Sequence, residues 1–127
     1  MKRIRIEIGD LTLTASLNDT KLADRIAEAL PFLAAGSYWG EVIYFSIPIH
    51  EPNEAPQEEV EIGAVAYWPP GNALCIFYGE TPASTSSKPK AASEVTVIGQ
   101  LECIPDALHV RQPLDSIRVS EEAGRFT

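Results

Sequence analysis

Apolar and polar residues alternate strictly over the first stretch of the chain. Ile4, Ile6 and Ile8 share one face and Arg3, Arg5 and Glu7 the other, the period-two signature of a half-buried strand. Gly9-Asp10 then offers a turn. Leu11, Leu13, Ala15 and Leu17 alternate with Thr12, Thr14 and Ser16, so the two runs read as a β-hairpin closed by a short loop. The period changes in "NDTKLADRIAEALP". Leu22, Ile26, Ala29 and Leu30 fall on one helical face. Thr20 is placed to cap the first turn with its hydroxyl, and Pro31 stops the helix because its ring disfavours helical backbone in the residue before it. One helix of about three turns must bury that face, and a sheet is its natural partner.

After the helix the pattern returns to short apolar runs. Val42–Ile49 predicts a third, aromatic-rich strand, followed by a polar, proline-broken loop over His50–Glu59 and a short strand around Val60–Ile62. Val65–Trp68 and Ala73–Tyr78 predict two strands hinged on Pro69-Pro70-Gly71-Asn72. Gly79–Glu94 reads as a long connector, of the kind that is functional or mobile. Val95–Cys103 and Ser116–Ser120 predict two more strands, with one helical turn over Pro105–Val110 between them. Seven or eight short strands and one main helix point to a sandwich or a closed barrel. Residues 1–120 form one domain on this reading, and 121–127 a frayed tail.

Composition narrows the function. The chain has 127 residues and a net charge of −8, with acidic residues gathered in Glu51–Glu61 and at Glu121–Glu122. That balance argues against nucleic acid, whose phosphates require lysine and arginine, and against anionic membrane surfaces. No signal-peptide pattern opens the chain and no run reaches the roughly 18 apolar residues of a membrane span, so a cytoplasmic protein is expected. Cys75 and Cys103 lie in apolar stretches without a CxxC, and buried free thiols are the expectation. No spacing of His, Cys or carboxylates matches a metal site, and no glycine-rich loop precedes a helix, so neither a metal nor a cofactor is expected.

Three segments, "ALPFLAAGSYWGEVIYFSIP", "VEIGAVAYWPPGNALCIFYGETP" and "EVTVIGQLE", resemble a family of small uncharacterised prokaryotic cyclophilin-like proteins. The resemblance runs from about Ile4 to Val119, and the order of Trp, double Pro, Gly and paired aromatics is its most specific part. It implies an all-β, closed eight-stranded antiparallel barrel with one main helix and a short second one, and no assigned activity. True cyclophilins are peptidyl-prolyl isomerases. Rotation about X–Pro meets a barrier of roughly 18–20 kcal/mol, which they lower with an arginine aimed at the imide nitrogen, carried on an F-H-R-x-I-P strand motif. The matching stretch here is Ile43-Tyr44-Phe45-Ser46-Ile47-Pro48, with Phe45 in the arginine's place and Tyr44 in the histidine's. Val42–Ile49 contains no Arg or Lys, and Cys75 and Ile76 stand where the family's glutamine strand would supply its amide.

Strand alternation adds a constraint of its own. Tyr44 and Phe45 cannot both face the interior, nor can Phe77 and Tyr78. The rings sent outward either pack under the helix or line an external groove. The second reading makes an apolar ligand pocket of Tyr44, Trp68, Pro69, Pro70 and Phe77, with Glu41 at its mouth. Its guest would be a small molecule or a proline-containing peptide. The alternative is a divergent prolyl isomerase that holds the ring in the same pocket without the usual arginine, so whether the chain is an enzyme stays open, as does its oligomeric state. A metabolite enzyme using Glu41 or His50 is the weakest reading. Glu41 otherwise reads as a solvated residue at a strand start, His50 and His109 as solvated loop residues, and Cys75 as an inert buried thiol. Lys88-Pro89-Lys90 is the connector's only basic spot.

Overall fold

A computed structural model describes residues 2–122. Among the described residues there are ten strands and one α-helix. The strands are β1 (Arg3–Ile8), β2 (Leu11–Leu17), β3 (Phe32–Ala34), β4 (Gly36–Tyr38), β5 (Val42–Ser46), β6 (Pro56–Glu59), β7 (Ala64–Trp68), β8 (Ala73–Phe77), β9 (Lys90–Leu101) and β10 (Ile117–Glu121). The helix α1 spans Lys21–Ala29, and 3₁₀ turns lie at Pro69–Gly71 and Asp106–His109. All strand pairs are antiparallel, in the order β3-β10-β1-β2-β9-β7-β8-β5-β4, with β6 branching off β9.

The expected closed eight-stranded barrel is therefore corrected to a ten-stranded sheet whose hydrogen-bonded path has two ends. The reason is local. The stretch after Pro31 pairs first with β10, through Phe32–Ala34, and then with β5, through Gly36–Tyr38, and it breaks at Ala35. The two ends of the path are thus consecutive in the chain, one residue apart, without a ladder joining them. Other boundaries also move. The short strand expected at Val60–Ile62 is β6 at Pro56–Glu59, where Pro56↔Thr96 and Gln57↔Val95 pair polar, exposed residues with β9. β9 starts at Lys90, which shortens the connector. β10 continues to Glu121, and Glu122 bonds Arg5 at 2.6 Å. The Arg5 hydrogen bond holds the Glu122 carboxyl below the usual carboxylate range. Of the expected tail, 123–127 lie outside the described residues.

The hairpin β1–β2 forms in the expected register, Arg3↔Ser16 to Ile8↔Leu11, with Gly9 at φ 57° in the turn. Its inward face joins a core of Ile4, Ile6, Ile8, Leu13, Ala15 and Leu17, onto which α1 lays Leu22, Ala23 and Ile26. Two side chains complete the helix start. Thr20 Oγ1 accepts from Ala23 N at 3.1 Å, and the Glu54 carboxylate accepts from Lys21 N at 3.2 Å and Leu22 N at 3.0 Å. A carboxylate there also meets the positive end of the helix dipole. Thr20→Ala and Glu54→Ala are each expected to cost about 1 kcal/mol in urea unfolding. A change under a few tenths at both positions would show the caps to be idle.

Candidate functional site

The strands β5, β8 and β7 carry two different faces. The inward face pairs Ile43 with Ile76, Phe45 with Leu74 and Val65 with Ile76, and these residues belong to the core that receives α1. The opposite face pairs Val42 with Phe77, Tyr44 with Cys75, Ala66 with Cys75 and Trp68 with Ala73. A second apolar cluster forms there, completed by Val60, Ala91 and Val95. The rings alternate between the faces: Phe45, Tyr67 and Tyr78 turn inward, and Tyr44, Trp68 and Phe77 turn outward, away from the helix.

Small residues beside large rings leave a hollow on that outer face. It has a volume of about 210 Å³ and is walled by Trp39, Tyr44, Trp68 and Phe77 over Val42 and Cys75. The start of β9 closes one side with Ala91, Ala92 and Val95. Among the described residues no charged side chain lines it.

The double-proline turn positions one wall without entering the hollow. Pro69–Gly71 is a 3₁₀ turn that Asn72 ends at φ 47°, its N–H donating to Pro69 O at 3.0 Å. The Trp68 indole lies against Gly71, where a Cβ would come within 2.8 Å of Cζ3. Trp68 Nε1 donates to Ser93 Oγ at 2.7 Å, tying the ring to β9. Trp68 is half-buried and so open to the hollow. Asn72 Oδ1 meets His50 Nδ1 at 2.7 Å, and the fully buried Tyr67 donates its hydroxyl to Ile49 O at 2.7 Å.

Of the residues expected at the site, Tyr44, Trp68 and Phe77 thus come together, whereas Pro69, Pro70 and Glu41 are not in the lining. Glu41 instead holds His109, Oε2 to Nδ1 at 2.8 Å, with both side chains 45% exposed. The His109 ring stands edge-on to Tyr78 at 5.5 Å. Burial first, then neighbouring Tyr38 and Glu41, pushes the Tyr78 phenol up to about 12, so it stays protonated. Glu41 and His109 are therefore not simply solvated residues; a contact across 68 positions joins them, which no local pattern reveals. Ala91 and Ala92 reach the hollow through the start of β9, a nonlocal approach, whereas Trp39 reaches it through the tight turn in which it exchanges backbone hydrogen bonds with Val42 at 2.9 and 3.2 Å. The connector beyond Gly79 packs against Gly40, where a Cβ would meet Pro82 and Thr81 at 2.8 and 2.9 Å. It is pinned by Thr81 and Ser84 hydroxyl bonds and by Lys88 Nζ to Glu61 at 2.8 Å. Lys88 and Lys90 both face carboxylates, which ends the idea of a free basic spot.

Cys75 is buried as expected, and Cys103 is exposed, a correction. Cys103 lies two residues beyond the end of β9 at Leu101, outside the sheet. Burial pushes the Cys75 thiol up to about 12, which leaves it a neutral part of the pocket floor rather than a nucleophile. With an aromatic disulfide reagent at pH 8, exposed Cys103 is expected to react first and buried Cys75 at least about tenfold more slowly. Two thiols reacting together would contradict that burial. Among the described residues, no group of three or more His, Cys, Asp or Glu is placed to hold a metal ion, and no helix is long and apolar enough to cross a membrane.

Fold and hollow together define an antiparallel β protein with one helix on its inner core and an aromatic-walled pocket on its outer face. The chain belongs to the Cyclophilin-like family, whose model matches residues 2–120. It is also similar to the solution structure of a hypothetical protein from Archaeoglobus fulgidus, at 32% identity and a TM-score of 0.80, covering 95% of each chain. None of the curated proteins compared with the chain matches it.

Proposed function

We propose that this chain is a binding protein that seats a small organic guest, or one apolar side chain of a peptide, in the hollow between Trp39, Tyr44, Trp68 and Phe77. The observation that carries this is the lining itself: four rings and small side chains around about 210 Å³, with no charge. An apolar cavity of roughly 150 Å³ can take one benzene, so the guest group is of one to two rings. A concave hollow lined by aromatic and small apolar side chains is the usual setting of a small-molecule site.

The isomerase alternative has less support. The position matched to the cyclophilin arginine, Phe45, is 1% exposed and faces the inner core. The outward neighbour is Tyr44. Arg3, Arg5, Arg25 and Arg118 pair with Glu102, Glu122, Glu51 and Glu7, and Arg111 sits 4.2 Å over the Tyr38 ring. Among the described residues no arginine lines the pocket, so an imide nitrogen bound there would meet no cationic donor.

Titration with bromobenzene tests the binding reading, because a heavy-atom ring quenches a tryptophan it touches. Saturable quenching is expected, reduced in Trp68→Phe and abolished by the space-filling Phe77→Trp, and the bound ring should slow modification of Cys75. Linear, non-saturating quenching in the native protein would remove the pocket from consideration.

A further inference from the structure

We infer that the group this pocket selects is a methylated ammonium ion, such as the trimethylammonium head of a choline-like molecule; the inference rests on the binding reading above. Three observations support it. First, the rings on the outer face border an open hollow, whereas those on the inner face are sealed in the core. The inner face interleaves its rings, Phe45, Tyr67 and Tyr78, with aliphatic Ile43, Val65, Leu74 and Ile76 and closes over them in the core. The outer hollow is walled by two Trp, one Tyr and one Phe. Aromatic faces carry the negative end of the ring quadrupole, which attracts a cation as aliphatic carbon does not.

Second, the surroundings favour positive charge. Glu41 precedes Val42, and Glu94 precedes Val95, both lining residues' immediate neighbours in the chain. Glu58 and Glu59 lie on β6, beside β9, and Glu80 O accepts from Glu41 N at 2.9 Å. The nearby lysines, Lys88 and Lys90, are paired with Glu61 and Glu58. Among the described residues Glu80 and Glu94 have no ion-pair partner, and the whole chain carries −8. A lone cation entering the hollow meets this field without a competing cationic side chain in the lining.

Third, the lining selects among cations. A primary ammonium brings three N–H donors that must be satisfied once desolvated. Besides the Tyr44 hydroxyl the lining side chains offer no strong acceptor: Trp68 Nε1 is a donor already committed to Ser93, and Cys75 is a buried thiol. A methylated ammonium has no such donors. It presents apolar methyl groups to the rings while keeping its charge.

Calorimetric titration of the whole chain with choline and with its neutral isostere, 3,3-dimethyl-1-butanol, tests this. Choline is expected to bind about tenfold more tightly, the equivalent of one to two ring faces. The preference should shrink as salt is raised, since the surrounding carboxylates are screened. Trp39→Leu and Tyr44→Leu, both at half-buried positions, should erode the choline preference and leave the alcohol within about twofold. Equal or tighter binding of the alcohol, or no choline binding while bromobenzene still saturates, overturns the cation assignment and leaves the pocket standing. If none of the three probes saturates, the pocket reading falls and takes this inference with it.

Discussion

Phe45→Ala is expected to lower the unfolding free energy by about 3–5 kcal/mol, whereas Tyr44→Ala, one position earlier on the same strand, is expected to cost about 1 kcal/mol or less. Both replace an aromatic ring by a methyl group, so only the face distinguishes them. Phe45 is 1% exposed, pairs with Leu74 and packs in the cluster that also holds Ile43, Ile76 and the helix residue Ile26. Deleting its ring leaves a cavity that close-packed neighbours cannot refill. Tyr44 is half-buried and borders a hollow that already exists, so its loss enlarges an opening rather than creating a void. The functional consequences run the other way. Tyr44→Ala should weaken binding of any guest in the hollow, and Phe45→Ala, in conditions where it remains folded, should leave binding close to native. Urea unfolding with linear extrapolation, followed by titration of the folded variants, reads both. Equal destabilisation at the two positions would mean that the faces of β5 are wrongly assigned, and with them the pocket.

The parts of this fold that sequence alone reveals are those with a long enough period. Six to seven alternating residues define β1 and β2, two residues of turn fix their register, and Thr20 with the following apolar face defines α1. Strands β3 and β4 have three residues each, too few to display a period of two, and they decide whether the sheet closes. β6 is exposed throughout. It is held by its backbone pairing to β9, so its side chains bear no imprint of burial. The same division holds at the site. The parity of Tyr44 against Phe45 and of Phe77 against Tyr78 follows from strand geometry and requires no structure. That Pro69 and Pro70 act by seating Trp68 over Gly71, and that Glu41 turns to His109, depend on contacts between distant segments. Trp39 sits two residues before Glu41 in the sequence, and the tight β4–β5 turn, closed by its backbone bonds with Val42, sets it at the hollow.

The second large effect is expected at Gly99: replacement by Val should cost about 3 kcal/mol or more and should also abolish binding in the hollow. Gly99 lies where β9 is pressed from both sides, opposite Leu17 of β2 and Val65 of β7. A Cβ there would stand 2.4 Å from the backbone oxygen of Ser16 and 3.3 Å from Leu17 Cδ2. The backbone oxygen cannot swing aside as a long side chain could, so β2 and β9 must separate or β9 must shift. The shift is the more damaging outcome, because the register between β7 and β9 already slips here: Val65 faces Gly99 while Ala66 faces Val97. That irregularity lets Ile98 and Leu101 both reach the inner core, although simple alternation would send them to opposite faces. It also keeps Val95 on the outer face, where the same strand supplies the β9 wall of the hollow. Displacing Gly99 therefore disturbs the seam between the hairpin half of the sheet and the pocket half, and moves Ala91 and Val95 away from Trp68. Chemical denaturation and guest titration should fail together in Gly99→Val and survive together in Gly9→Ala, where a Cβ meets nothing within 4 Å and only the positive φ is strained. A Gly99→Val protein that unfolds within 1 kcal/mol of native and still binds would show that β9 is not the strand that couples core to pocket.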